Sequence, residues 1–125
     1  MEEELTTEDV LALVHEKARE VDEVRVYYAL RKMKLRFLTS EVVDVVKYAV
    51  TLTELGLPIT APLMTALLRK VHVSVLAQLH NLGDKHVLVL KRSDVGKRYE
   101  WVFSPVFHQH YYGSAEKEGS NGVEP

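Results

Sequence analysis

The chain of 125 residues contains no cysteine. That absence excludes a disulfide framework, a thiolate metal site and a cysteine nucleophile together. Asparagine and glutamine occur twice each, and such scarcity of heat-labile side chains points to a thermophilic source. No glycine or proline lies between Met1 and Leu55, so no breaker punctuates the first part of the chain. No apolar run approaches the roughly 20 residues that span a bilayer, and no membrane partner is expected. The opening MEEELTTEDV is acidic where a signal or transit peptide is basic, which makes the cytoplasm the expected location. P-loop, nucleophile-elbow, dinucleotide-fingerprint and HExxH patterns are missing too, so neither catalysis nor a cofactor is expected. His108 and His110 suggest a metal site. No acid or cysteine converges on them in sequence, and no metal is assigned.

What is present suits an ordinary globular domain. A chain of this length buries roughly two thirds of its unfolded surface, and 46% hydrophobic residues supply the core. The net charge of -2 conceals alternating blocks. Residues 1–24 hold nine acids and two bases, residues 25–40 five bases and no acid, and residues 41–63 three acids and one base. The sign returns in residues 64–98, where seven bases face only Asp84 and Asp94. Charge asymmetry of this kind points to a polyanionic partner more directly than net charge does, although a solvated surface gives the same block.

The pattern within the blocks is mostly helical. Thr6-Thr7-Glu8-Asp9 reads as a capping box ahead of Val10, Leu11, Leu13, Val14, Ala18 and Val21. Whether that helix continues through VDEVRVYYALRKMKLRF or stops near Val21 and restarts is open. Thr39 and Ser40 cap EVVDVVKYAVTLTEL, whose valines allow a strand but whose length favours a helix, and Gly56 and Pro58 stop it. Thr60 with Pro62 starts PLMTALLRK, burying Leu63, Ala66 and Leu67, with Val71 a further candidate for the same face. Ser74 then caps VLAQLHNLGD, with Val75, Leu76, Leu79 and Leu82 on one face. Two short helices joined by Val71, His72 and Val73 make a helix-turn-helix. HVLVLKR and KRYEWVFS follow as strands, the second with Tyr99, Trp101 and Phe103 on one face, and Asp94 and Gly96 suit a hairpin turn. The expected class is mainly α with a small antiparallel β-hairpin, an α+β winged helix-turn-helix preceded by one or two helices.

The stretch ITAPLMTALLRKVHVSVLAQLHNLGDKHVLVLKRSDVGKRYEWVF resembles winged-helix DNA-binding domains, in particular MarR-like and PadR-like regulators of bacteria and archaea. The resemblance covers residues 39–103. It departs at His86, where the family has a glycine in the left-handed conformation, which His tolerates less well. It implies a helix over residues 73–83 in the major groove and the 86–103 hairpin as a wing. Subtracting the buried set leaves Ser74, Gln78, Asn81 and Lys85 in one stripe for base edges, with His80 beside it for phosphate and His72 in a turn contact. Lys91, Arg92, Lys97 and Arg98 ring the wing, and Arg69 and Lys70 end the preceding helix as further phosphate candidates.

Double-stranded DNA is thus the expected partner and transcriptional regulation the expected role. The family dimerises, and Leu11, Val14, Ala18, Val21 and Tyr28 near heptad spacing make residues 1–38 the candidate homodimer element. Arg25 and Lys32 interrupt that stripe, so packing against the chain's own core competes. The run RKMKLR either extends the DNA surface or pairs with the acidic first helix. Residues 39–107 form the expected winged domain and residues 108–125 a mobile tail. The rival to DNA is a protein-protein module, with Val95, Tyr111 and Tyr112 as contacts.

Overall fold

The computed structural model describes residues 6–36, 38–92 and 99–113. They form α1 (Thr7–Ala18), α2 (Glu23–Lys32), α3 (Ser40–Glu54), α4 (Ala61–Leu68), α5 (His72–Asp84), β1 (Leu88–Arg92), β2 (Tyr99–Phe103) and α6 (Pro105–His108). A single π-helical turn, Gln109–Gly113, continues from α6. The described residues are mainly helical, with one antiparallel two-stranded sheet among them.

Helix starts follow their caps. Thr6 and Asp9 exchange backbone and side-chain bonds of 3.1 Å each, the capping box that the sequence predicts. Asp22 caps α2 by accepting from the amides of Val24 and Arg25, so the N-terminal pattern is two helices rather than one. Thr39 and Thr60 cap α3 and α4 in the same way. The last long helix departs from expectation. It begins at His72 with Val71 as its N-cap and no side-chain cap bond, which leaves Ser74 in the first turn instead of at the cap.

Helix ends use the left-handed conformation. Gly56 terminates α3 at φ 75°, and the amide of Leu57 reaches back to the carbonyl of Leu52 at 2.8 Å. His86 does the same for α5 at φ 66°, with the amide of Val87 bonded to the carbonyl of Leu82 at 2.9 Å. The residue that breaks the glycine pattern therefore adopts the glycine conformation, at a cost of about 1–2 kcal/mol.

One core joins every long element, and α3 runs through its middle with Val45, Val46, Ala49, Val50 and Leu52 buried. Helix α1 packs on α3 and α4, and α2 packs on α3 and the π-turn. His15 Nδ1 meets the Tyr48 hydroxyl at 2.8 Å, and Lys47 pairs with Glu23 at 2.7 Å, linking α3 to each N-terminal helix. The near-heptad set is thereby divided. Val14 and Ala18 are buried within the chain and Leu11 and Val21 half-buried, while Tyr28 alone remains outward. In α4 the buried pair is Met64 and Leu67, and Ala66, expected inside, is exposed.

The hairpin pairs Leu88 with Phe103, Leu90 with Trp101 and Arg92 with Tyr99. Just before α4, the carbonyl of Ile59 accepts from the Trp101 amide at 2.8 Å, extending the sheet by one bridge. Trp101 also lies against α5 at Gly83, where an added Cβ would stand 3.0 Å from the indole Cζ3. Glycine is favoured there, because a Cβ would press the indole to shift by a few tenths of an ångström.

The segment from residue 108 departs from the expected mobile tail at its beginning. The chain stays helical to Gly113, with Phe107 and Tyr111 buried in the core. Arg25 holds it, donating through Nε and Nη2 to the Tyr111 carbonyl at 3.0 and 2.9 Å and lying 4.3 Å from the Tyr111 ring centroid. Burial pushes both tyrosine hydroxyls above their ordinary pKa, and the Glu54 carboxylate adds to the shift at Tyr112. Residues 114–125 lie outside the described residues. Among the described residues no helix is long and apolar enough to cross a membrane.

Candidate nucleic-acid interface

Helix α5 buries Val75, Leu79 and Leu82 and turns the rest of its circumference outward. At ~100° per residue, the positions opposite that edge are Val73, Ala77 and Asp84, all exposed. The stripe of Ser74, Gln78, Asn81 and Lys85 therefore runs along one flank rather than down the centre of the outward face. Val73 is 68% exposed and the N-cap Val71 69%, so the helix starts with an apolar tip.

Along the first flank, Gln78, Asn81 and Lys85 border a groove of about 400 Å³ whose far wall is Leu35, Arg36, Thr39 and Val42. Leu82 forms part of its lining. Glu41, at the start of α3, accepts a hydrogen bond from Gln78 Nε2 at 3.4 Å and an ion pair from Lys70. The hydrogen bond and charge of Lys70 hold the Glu41 carboxyl below the usual carboxylate range, with a smaller contribution from Gln78. Two of the expected DNA contacts are thus engaged by one acid within the chain.

The second flank has different chemistry. His80, expected beside the amide stripe, lies on the other side, its ring edge-on to Trp101 with centroids 5.0 Å apart. His72 Nδ1 lies 3.3 Å from the Thr65 hydroxyl, the turn contact anticipated for it. His72, Leu76, His80, Leu90, Tyr99 and Trp101, with residues 60–62, line a cleft of about 540 Å³ between α5 and the hairpin.

The turn before α5 is basic and strained. Arg69 caps α4 at φ 56°, ψ 43°, a left-handed position that costs a non-glycine residue about 1–2 kcal/mol. Across the hairpin the two described cations separate. Arg92 shares its face with Leu90, Tyr99 and Trp101, whereas Lys91 points to the other face, directly opposite Glu100. Lys91 and Arg92 therefore occupy opposite faces of the hairpin. Lys97, Arg98 and Val95 lie outside the described residues. Tyr111, offered as a protein contact, is buried, and Tyr112 is half-buried with its hydroxyl donating to Glu54 at 3.3 Å.

Sequence reading missed Glu41 and the open ring of Tyr99 at the cleft, while Arg36 stood in the RKMKLR run already offered as DNA surface. Nothing in a one-dimensional pattern connects residue 41 to residues 70 and 78. Tyr99 carried a signal, since strand alternation aligned it with Trp101. Among the described residues no cluster of His, Asp and Glu has the arrangement to hold a metal ion. Comparison with protein-family models, with curated proteins and with solved structures finds no match for this chain.

Proposed function

We propose that residues 39–107 form a winged helix that binds duplex DNA, with α5 in the major groove and the hairpin against the flanking backbone, in a small transcriptional regulator. The observation that carries this reading is the distribution of exposed cations about α5. Arg69 and Lys70 precede it, Arg36 and Lys85 border its amide flank, and Arg92 projects from the hairpin face that meets its other flank. Gln78 and Asn81 carry the amides that bond adenine through N6 and N7. The bridge from Ile59 to Trp101 supports the same reading, because it joins the segment before α4 to the hairpin behind α5.

Titration on random duplex DNA at two or more salt concentrations tests it. Four to six phosphate contacts give a log-log slope of about -4 to -5, at ~0.9 per contact. Changing Lys91, Arg92, Lys97 and Arg98 together to alanine flattens that slope. Equal, weak and salt-independent binding by both proteins sinks the reading. In that event Val71 and Val73, the exposed apolar tip of α5, favour the second reading, a protein-protein module.

Regulators of this kind act on paired half-sites about 34 Å apart, and the outward face of α2 fits a two-fold partner. Val24 and Tyr28 are 60% and 58% exposed, and they border a groove shared with Tyr27, Leu38 and Val43. Asp22 and Glu23 stand at the start of α2 and Arg31 and Lys32 at its end. Antiparallel pairing of two α2 helices sets acids against bases, the self-complementarity that an isologous contact requires. Sedimentation should give the mass of two chains, and Tyr28→Glu should give one.

A further inference from the structure

The cleft between α5 and the hairpin lies beside the surface assigned above to duplex DNA, and the inference rests on that reading's choice of nucleic acid as partner. It differs from the amide flank in every respect that matters for recognition. Its lining contains the exposed ring of Tyr99, the edge of Trp101, two imidazoles and the side chains of Leu76, Leu90 and Pro62. No Asp or Glu is among the described residues that line it. Such a surface offers little for reading the hydrogen-bonding edge of a paired base. It suits a flat, apolar-faced ring.

Three observations identify the occupant. Tyr99 is 60% exposed although its strand neighbour Trp101 is buried, so a large aromatic face stands open at the mouth of the cleft. Arg92 is the direct cross-strand partner of Tyr99 and projects from the same face of the hairpin, placing a cation beside that ring. His72 and His80 stand across the cleft on α5, each with ring nitrogens able to donate or accept. An aromatic platform beside a cation is the combination that holds a single strand, the ring stacking on a base and the cation meeting its phosphate.

We propose that this cleft binds an unpaired nucleobase of a single nucleic-acid strand, stacked on Tyr99, with Arg92 on the adjoining phosphate and the imidazoles of His72 and His80 toward the base edge. The protein then has two nucleic-acid surfaces on the flanks of one helix, one for paired bases and one for an unpaired base. An apolar peptide side chain is the competing occupant. It accounts for the leucines but gives Arg92 no partner.

The chain contains one tryptophan, and Trp101 lines the cleft, so its fluorescence reports occupancy directly. The full-length protein is titrated with a thymidylate dodecamer, with an abasic dodecamer of the same backbone, and with N-acetylphenylalanine amide. A saturable change in Trp101 emission with the thymidylate strand alone is expected. Tyr99→Phe should keep the affinity and Tyr99→Leu, of similar apolar bulk, should lose roughly tenfold, the scale of one stacked base. Glu16→Gln, exposed on α1 and away from both flanks, should leave it unchanged. Equal binding of the abasic strand overturns the proposal, because phosphate contact alone then suffices. So does equal affinity of Tyr99→Leu and wild type, and so does a Trp101 response to the phenylalanine amide with none to thymidylate. The duplex reading fails separately: loss of salt-dependent duplex binding with a retained thymidylate response leaves the cleft standing alone.

Discussion

The two flanks of α5 are built from one helix and differ in what stands opposite them. On one side Gln78, Asn81 and Lys85 face the connection from α2 to α3, with Arg36 and Glu41 close by. On the other, His72, Leu76 and His80 face the hairpin, with Tyr99 and Trp101. The first flank is rich in directional donors and acceptors, partly engaged by Glu41; the second has stacking surface. Helical periodicity assigned residues to an outward face, but the neighbouring element determines whether that face presents hydrogen-bonding groups or aromatic rings.

The largest effect comes from breaking both flanks at once. Leu79 is fully buried beneath them, and Leu79→Ala should lower the unfolding free energy by about 2–5 kcal/mol in chemical denaturation. If duplex binding and the Trp101 response survive undiminished in the folded fraction, the cost is stability alone. Next, Asn81→Ala should relax base preference by about 1–3 kcal/mol in competition between duplexes, while the thymidylate response stays unchanged. Loss of both signals together would show that the flanks do not act separately.

Smaller effects sharpen the amide flank. Glu41→Gln removes the charge that engages Lys70 and should steepen the duplex salt slope by about one contact, ~0.9. An unchanged slope would mean that Lys70 makes no phosphate contact. The pH dependence follows from the lowered Glu41 pKa. A carboxylate with a depressed folded-state pKa contributes its stabilisation above the unfolded-state value of about 4.3 and loses it as the pH falls through the folded one. Wild type should therefore approach Glu41→Gln only in acid below that range, and the two should differ at neutral pH. Smallest is Arg69→Gly. Relief of the left-handed strain should raise the thermal midpoint by a few degrees, on about 1 kcal/mol, and weaken duplex binding if Arg69 meets phosphate.

Much of the helical layout was legible. Capping side chains announced α1, α3 and α4, and a period of about 3.6 outweighed the β-branched valines of α3. Alternation correctly divided Tyr99, Trp101 and Phe103 from Glu100 and Val102. Errors arose where a local signal had no tertiary counterpart. Ser74 resembles a cap, yet the N-cap of α5 lies three residues earlier at Val71, which makes no side-chain cap bond, because Val75 and Leu79 set the helix against the core. Polar residues after Phe107 resemble a tail, but Arg25 and Tyr111, 86 positions apart, hold that segment in place.

By itself the sequence determined the kinds of element, most of their boundaries and the block distribution of charge, all of which depend on neighbours within a few positions. Only the tertiary structure decided that Val14 and Ala18 face the chain's own core, that Glu41 engages Lys70 and Gln78, and that α5 has two chemically unlike flanks. Those outcomes depend on which distant side chains meet, and a contact between residues 41 and 78 or 80 and 101 leaves no trace in local periodicity.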